Sequence, residues 1–227
     1  MNAVVFYSNT GNSEPIAAYL AEQLSYPLID IEKADESSYN NLVLVFPVHC
    51  QNIPYRVRIF LQTAKIKYLS VIATYGKMCY GNVIYEIQKQ YCENIVAAAY
   101  IPIRHSYIED DDTFLKYDDL LPIVEKVQTP STIIIPRSYK NPVANLFPNA
   151  RSRMGLKISK NTSCNNCGIC TVSCRLGAIK NGVTNSRCIR CLKCVEVCPN
   201  NALSAKKRLP LKLYLCKKKV NKLIVYI

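Results

Sequence analysis

Eight of the twelve cysteines in this 227-residue chain fall into two runs. The first reads Cys164-x2-Cys167-x2-Cys170-x3-Cys174. The second reads Cys188-x2-Cys191-x2-Cys194-x3-Cys198-Pro199 and begins 24 residues later. Thiolates at this spacing are suited to holding a pair of [4Fe–4S] clusters. Three closely spaced sulfurs can curl round three irons of one cubane, while the fourth lies beyond a short turn and points towards the other. The expected ligand sets are therefore Cys164, Cys167, Cys170 and Cys198 for one cluster, and Cys188, Cys191, Cys194 and Cys174 for the other. Zinc also takes cysteine pairs, but it needs only four ligands, typically a C-x2-C and a distant second pair. Disulfides suit a secreted mini-protein, whereas the rest of this chain has the pattern of a globular α/β protein. The two runs differ at one point: Arg175 follows Cys174 where Pro199 follows Cys198. Arginine restores a backbone N–H and adds a charge near the second cluster.

A different chemistry is suggested near the start. Ser8-Asn9-Thr10-Gly11-Asn12-Ser13 lies between a short apolar run and a helical pattern. Its hydroxyls can donate to a phosphate, and its backbone N–H groups converge at the positive end of the following helix. Gly11 allows a tight turn and close backbone approach. The loop holds no lysine and lacks the G-x-x-x-x-G-K-[ST] pattern of nucleotide triphosphatases, so a phosphate monoester is the simplest ligand. A Ser/Asn-rich turn that merely caps a helix is the alternative.

These stretches must be positioned by a scaffold. Residues 3–7, 27–31, 42–46, 70–74 and 95–101 read as strands, and 14–24, 54–62, 82–91 and 114–127 as helices between or after them. Wholly apolar strands such as Leu42 to Phe46 belong to a parallel sheet covered on both faces. The alternation predicts a doubly wound α/β sheet. Ser131 to Ile135 is a short strand-like run. The acidic run Glu109-Asp110-Asp111-Asp112 reads as a solvated loop. The predicted organisation is an α/β domain over 1–140, a linker over 141–154, a two-cluster module over 155–205 and a basic C-terminal tail over 206–227. Within the tail, Leu211, Leu213 and Leu215 alternate as in a strand. The tail offers either a membrane-surface or partner contact, or a segment packed back on the module.

Charge divides the chain. Residues 1–149 carry 12 basic and 15 acidic side chains, and residues 150–227 carry 17 basic and one acidic, Glu196. A basic surface favours acidic partners, with a pull that weakens as salt rises; nucleic acid is the other standard partner of such a surface. The longest apolar runs are too short to span a bilayer. Met1 to Phe6 has no basic n-region and enters a strand pattern at once, so no signal peptide is expected. Twelve cysteines, eight of them in ligand runs, fit a reducing cytoplasm.

The Ser8–Ser13 loop resembles the T-x-T-G-x-T phosphate loop of flavodoxins, with serine at its first and last positions. Two further loops are similar to that family's ring-binding loops: Pro47-Val48-His49-Cys50-Gln51-Asn52-Ile53-Pro54 after the third strand, and Thr74-Tyr75-Gly76-Lys77-Met78-Cys79-Tyr80-Gly81-Asn82 after the fourth. In a doubly wound sheet, ligands bind where such loops meet, at the carboxyl ends of the strands. Many flavodoxins sandwich the flavin between Trp and Tyr. With no Trp in the chain, Tyr75, Tyr80 and His49 are the stacking candidates. The whole chain resembles the flavodoxin–ferredoxin fusion family, the EFR-type ferredoxins, with the flavodoxin-like part over about residues 1–140 and a bacterial-type two-cluster ferredoxin part over about 155–205. That resemblance implies FMN, two [4Fe–4S] clusters and an electron-transfer role with a redox partner protein. The flavin would be held by Ser8, Asn9, Thr10, Gly11, Asn12, Ser13, Pro47, Val48, His49, Asn52, Thr74, Tyr75, Gly76, Tyr80, Gly81 and Asn82. Two other classes compete: a flavin-dependent reductase of a small molecule fed by the clusters, and a nucleic-acid-binding iron–sulfur protein. No acid–base dyad or nucleophile for a substrate is apparent; His49 and Cys50 are the nearest to one.

Overall fold

The structure is a computed structural model that describes residues 1–34, 38–108, 116–146, 148–217 and 219–227. The acidic run at 109–112 and the first residues of the helix expected from 114 lie outside the described residues. The chain divides into two units, one formed by Met1–Ala144 with Lys219–Ile227, the other by Asn145–Lys218.

The first unit opens with strand β1 (Asn2–Phe6), helix α1 (Glu14–Leu24) and strand β2 (Leu28–Asp30). Strand β3 (Ser38–Pro47), helix α2 (Tyr55–Thr63), strand β4 (Lys65–Tyr75), helix α3 (Val83–Gln90), strand β5 (Ile95–Pro102) and helix α4 (Leu121–Gln128) follow. Strands β1 to β5 are parallel and ordered β5-β4-β3-β1-β2. Read from the other edge this is 2-1-3-4-5, the flavodoxin-like order, with its topological switch point beside β1 and β3. Alternate side chains of each strand serve opposite faces. Val5 and Leu44 join Val57, Phe60 and Ile84 of α2 and α3 in one core. Val4 and Val45 join Leu20 and Ile123 of α1 and α4 in the other. Both faces are thus covered, which is why β3 to β5 carry apolar residues at successive positions.

The second unit begins with helix α5 (Pro148–Gly155) and strand β6 (Leu156–Lys160). Helix α6 (Ile169–Val172), strands β7 (Ile179–Lys180) and β8 (Val183–Thr184), helix α7 (Lys193–Glu196), strand β9 (Leu203–Lys207) and helix α8 (Leu209–Leu215) complete it. Strand β6 pairs antiparallel with β9, and β7 with β8.

Several sequence expectations need correction. The stretch expected to link the parts forms a 3-10 turn at Pro142–Asn145 and then α5. Ser131 to Ile135 is not a strand; its amides bond outside any ladder, Ile133 to the Ile95 carbonyl and Ile135 to Gln88 Oε1. Leu211, Leu213 and Leu215 lie on a helix, since Pro210 sits in its first turn, where a missing N–H costs nothing. Nor does 206–227 behave as one tail. Lys206 and Lys207 belong to β9, while the last strand, β10 (Ile224–Tyr226), joins the edge of the first unit's sheet antiparallel to β5. Strand β10 satisfies the edge of β5 and adds apolar cover, with Ile224 and Tyr226 against one core and Val225 against the other. No helix among the described residues is long and apolar enough to cross a membrane.

Candidate functional site

The cysteine module is built twice over. Subtracting 24 from a residue number in the second half recovers its equivalent in the first. Cys174 and Cys198 each receive a hydrogen bond on sulfur, from the amides of Ala178 and Ala202, both at 3.3 Å. Helices α6 and α7 start at residues with left-handed backbone, Gly168 (φ 80°) and Leu192 (φ 69°). The strand registers Ile179↔Thr184 and Lys160↔Leu203 are the same pairing, repeated. The halves also exchange contacts reciprocally. The amide of Asn161 donates to the Ala202 carbonyl, and that of Asn185 to the Ala178 carbonyl, both at 2.9 Å. Each run's final cysteine is thereby carried towards the opposite run.

The sulfurs sort accordingly. Cys164, Cys167, Cys170 and Cys198 line one cavity open to solvent, together with Gly168 and Gly182. At the other end, burial pushes the Cys194 thiol up to about 12, with Cys191, Cys188, Cys174 and Cys170 adding repulsion. Burial likewise raises Cys191, which feels Cys174 and Cys188. Thiols crowded in this way are costly to ionise alone and suit a cationic metal centre that removes their protons. Among the described residues no three His, Cys, Asp or Glu side chains close on a single metal ion. The donor set is soft, sulfur-only and spread round a cavity, which fits an iron–sulfur cluster.

Two residues missed by the sequence reading stand out here. Arg190, only 9% exposed, donates from Nη1 to Thr184 Oγ1 at 2.7 Å and to Cys188 Sγ at 3.4 Å. A cation inside a C-x-x-C run was the available signal. Thr171 Oγ1 accepts from the Asn181 amide at 3.3 Å and ties α6 to the turn between β7 and β8. Arg175, by contrast, is exposed.

In the first unit, the three loops gather at the carboxyl ends of β1, β3 and β4. Ser8 Oγ accepts from the amides of Gly11 (3.1 Å) and Ser13 (3.4 Å). Ser13 Oγ bonds to Thr74 Oγ1 at 2.9 Å, joining the first loop to the end of β4. Ser8 and Ser13 are both buried, so these hydroxyls shape the loop from within, while Gly11 and Asn12 are exposed and Thr10 half-buried. The second loop doubles back between His49 and Asn52, whose backbones exchange two hydrogen bonds, with Cys50 (φ 50°) and Gln51 (φ 67°) left-handed at the tip. The Val48 amide donates to the Thr74 carbonyl at 2.7 Å, fastening the turn after Pro47 to the third loop. Burial holds the His49 imidazole down at about 4, so it is neutral at pH 7 and its Nε2 accepts from Asn9 Nδ2 at 3.3 Å.

The third loop approaches the second at Gly81, whose φ is +68° and where an added Cβ would lie 2.8 Å from Gln51 Cβ. Gly76 is similarly close to His105. Asn82 Oδ1 accepts from the Ser138 amide, and Asn52 Nδ2 donates to the Ala144 carbonyl, so both asparagines brace neighbouring chain. Gln51, not expected at the site, braces it too, accepting from the Asn141 amide.

Tyr75 differs most from expectation. It is 1% exposed, and its hydroxyl donates to the Lys222 carbonyl at 2.7 Å and accepts from the Lys222 amide at 3.2 Å. Tyr80 packs between Tyr75 and Tyr100, at centroid distances of 5.3 and 4.4 Å. Tyr75 is therefore not an open stacking platform; it anchors the segment before β10. The Val220 amide also reaches this loop, donating to the Lys77 carbonyl at 2.6 Å. Nothing in the local sequence marked that role, because its partner lies 147 residues away.

Residues 183–204 match the family model for the 4Fe-4S binding domain, so the chain carries an iron–sulfur motif of ferredoxin type there. No curated protein matches the chain. Among solved structures, the Streptococcus pneumonia TIGR4 flavodoxin is 15% identical with a TM-score of 0.39, covering 56% of this chain and 97% of that one. The two-electron reduced Megasphaera elsdenii flavodoxin is 17% identical with a TM-score of 0.41, covering 57% and 99%. Rubredoxin oxygen:oxidoreductase from Desulfovibrio gigas is 17% identical with a TM-score of 0.43, covering 57% of this chain and 35% of that one.

Proposed function

We propose that this chain is a carrier that exchanges electrons between FMN and two [4Fe–4S] clusters and delivers them to a redox partner protein. The observation that carries the reading is the reciprocal 24-residue repeat. On this reading each cysteine run takes a fourth sulfur from the other run, and what supports it is that Cys164, Cys167, Cys170 and Cys198 line one cavity. Cys188, Cys191, Cys194 and Cys174 are the second set. FMN takes up two electrons singly and each cluster takes one, so the pair would interconvert two-electron and one-electron traffic; the protein contributes placement and tuning. The turn Thr10–Asn12 before α1, exposed at Gly11 and Asn12, would receive the FMN phosphate through amides and the Thr10 hydroxyl. The loops at 47–52 and 74–82 would border the ring. His49, held neutral and oriented by Asn9, is the preferred aromatic neighbour, since Tyr75 is buried.

The partner expected is acidic, because the second unit is strongly basic, and electron exchange with it should slow as salt rises. The test of the whole reading is anaerobic purification with counts of iron, acid-labile sulfide and flavin. About eight irons, eight sulfides and one FMN per chain are expected. Tightly bound zinc without labile sulfide would overturn the cluster half. Intact clusters with no affinity for added FMN would overturn the flavin half.

A further inference from the structure

The internal repeat provides its own control for what differs between its halves. At the position equivalent to Arg190, 24 residues earlier, stands Asn166. Both share a left-handed backbone, φ 61° and 58°, so the two side chains leave equivalent turns. Their chemistry is opposite. Asn166 is exposed and uncharged, with Oδ1 3.8 Å from Cys164 Sγ. Arg190 is 9% exposed, and its guanidinium is held against Cys188 Sγ by Thr184. The surroundings differ in the same sense. Cys188 and Cys194 are buried at 8% and 9% exposure, whereas their equivalents Cys164 and Cys170 are half-buried. Cys167 is exposed while its equivalent Cys191 is half-buried.

We propose that Arg190 makes the two clusters unequal, raising the reduction potential of the one held by Cys188, Cys191, Cys194 and Cys174 so that an added electron settles there. The inference rests on the two-cluster reading above. Reduction adds one electron, and so one negative charge, to a cluster; no bond forms and no proton moves. Exclusion of water alone would make the buried cluster the harder of the two to reduce. A fixed cation in the same water-poor surroundings acts in the other direction, and more strongly than it would in solvent. An N–H donor on a ligand sulfur adds to the effect, since hydrogen bonds to the sulfurs are among the features that set cluster potentials. The module's exposed cations, such as Arg175 and Arg187, are screened by solvent and salt and cannot replace it. The more exposed cluster, lined by Cys164 and Cys167, is then the one through which electrons pass at lower potential.

The test is an anaerobic titration of the full-length holoprotein with dithionite, followed by electron paramagnetic resonance, in wild type and three variants. Arg190→Gln should lower one midpoint by the equivalent of tenfold or more in the reduction equilibrium, about 59 mV for one electron, and leave the other in place. Arg190→Lys, which keeps the charge, should retain most of the wild-type value. Asn166→Arg, at an exposed position where solvent screens the charge, should move the other midpoint by less than Arg190→Gln moves the first. If Arg190→Gln moves neither midpoint, or moves both alike, with eight irons still bound, the inference is overturned while the two-cluster reading stands. Should wild type hold only one cluster's worth of iron and sulfide, both fall together.

Discussion

Replacing Gly81 by alanine tests whether the second and third loops of the first unit meet as described. Two costs are separable there. The backbone at φ +68° lies in the left-handed region, where a Cβ costs about 1–2 kcal/mol. The Cβ would also lie 2.8 Å from Gln51 Cβ and 2.9 Å from the Gln51 carbonyl oxygen. One of those atoms is backbone at the tip of a tight turn, so relief requires the His49–Asn52 hairpin to move, an overpacking cost of roughly 1–3 kcal/mol. Together the change should cost roughly 2–5 kcal/mol. Gly11 supplies the control. Its φ is +93°, but an added Cβ there has nothing within 4 Å, so Gly11→Ala carries the backbone cost alone. Amide hydrogen exchange reads both locally, at Val48, His49 and Asn52, whose hydrogen bonds close the second loop. At about 1.4 kcal/mol per factor of ten, Gly81→Ala should speed exchange there by roughly 30-fold or more, and Gly11→Ala should leave these amides nearly unchanged. On the proposed FMN reading, added FMN should bind more weakly to the Gly81 variant, because the loops assigned to the ring have parted. Equal exchange rates in wild type and Gly81→Ala would show that Gln51 does not stand against this glycine, and the loop geometry would be refuted.

Lowering the pH should weaken the first unit through His49. Its folded value of about 4 lies below the ordinary 6.5, so the unfolded chain takes the proton first as pH falls through 6.5. Stability should therefore drop between pH 6.5 and 4 by up to roughly 3 kcal/mol, at 1.36 kcal/mol per pH unit. His49→Gln should flatten that part of the profile in thermal melts followed by circular dichroism. Tyr75→Phe removes two hydrogen bonds to Lys222 and should cost about 1–2 kcal/mol, read as faster exchange at Ile224 to Tyr226 with the visible spectrum of the clusters unchanged. Arg175→Pro should lower the potential of the cluster proposed at Cys174 less than Arg190→Gln does, because Arg175 is exposed and screened; a larger drop at Arg175 would reverse the ranking.

The parts legible in the sequence were those whose cause is local. The cysteine runs announce themselves by spacing, and β1, β3, β4 and β5 by apolar stretches long enough for a sheet covered on both faces. Boundaries were less visible. Strand β4 begins at Lys65, five residues before the apolar run, because Lys65 and Tyr68 pair with β3 through the backbone while the Lys65 side chain is exposed and that of Tyr68 half-buried. The leucine alternation from 211 to 215 has a strand's period, yet Pro210 favours a helix start, and the local backbone preference prevailed. Tyr75 looked like a ring platform because its loop position fits one. Its burial depends on Lys222, and β10 depends on a vacancy at the edge of β5, so neither follows from neighbours in sequence. Arg190 was visible as a residue, but not as a buried contact to Cys188, which requires the fold of the turn.

The placement of β10 has a consequence for biosynthesis. A ribosome delivers β1 to β5 first, then the whole cysteine module, and only afterwards the strand that pairs with β5. Until then the nascent sheet presents an unpaired apolar edge, Ile95 to Pro102, every residue of it buried in the finished protein. Such an edge is a template for pairing with another chain. The interval between the synthesis of β5 and that of β10 is therefore the one in which the sheet is most prone to aggregate.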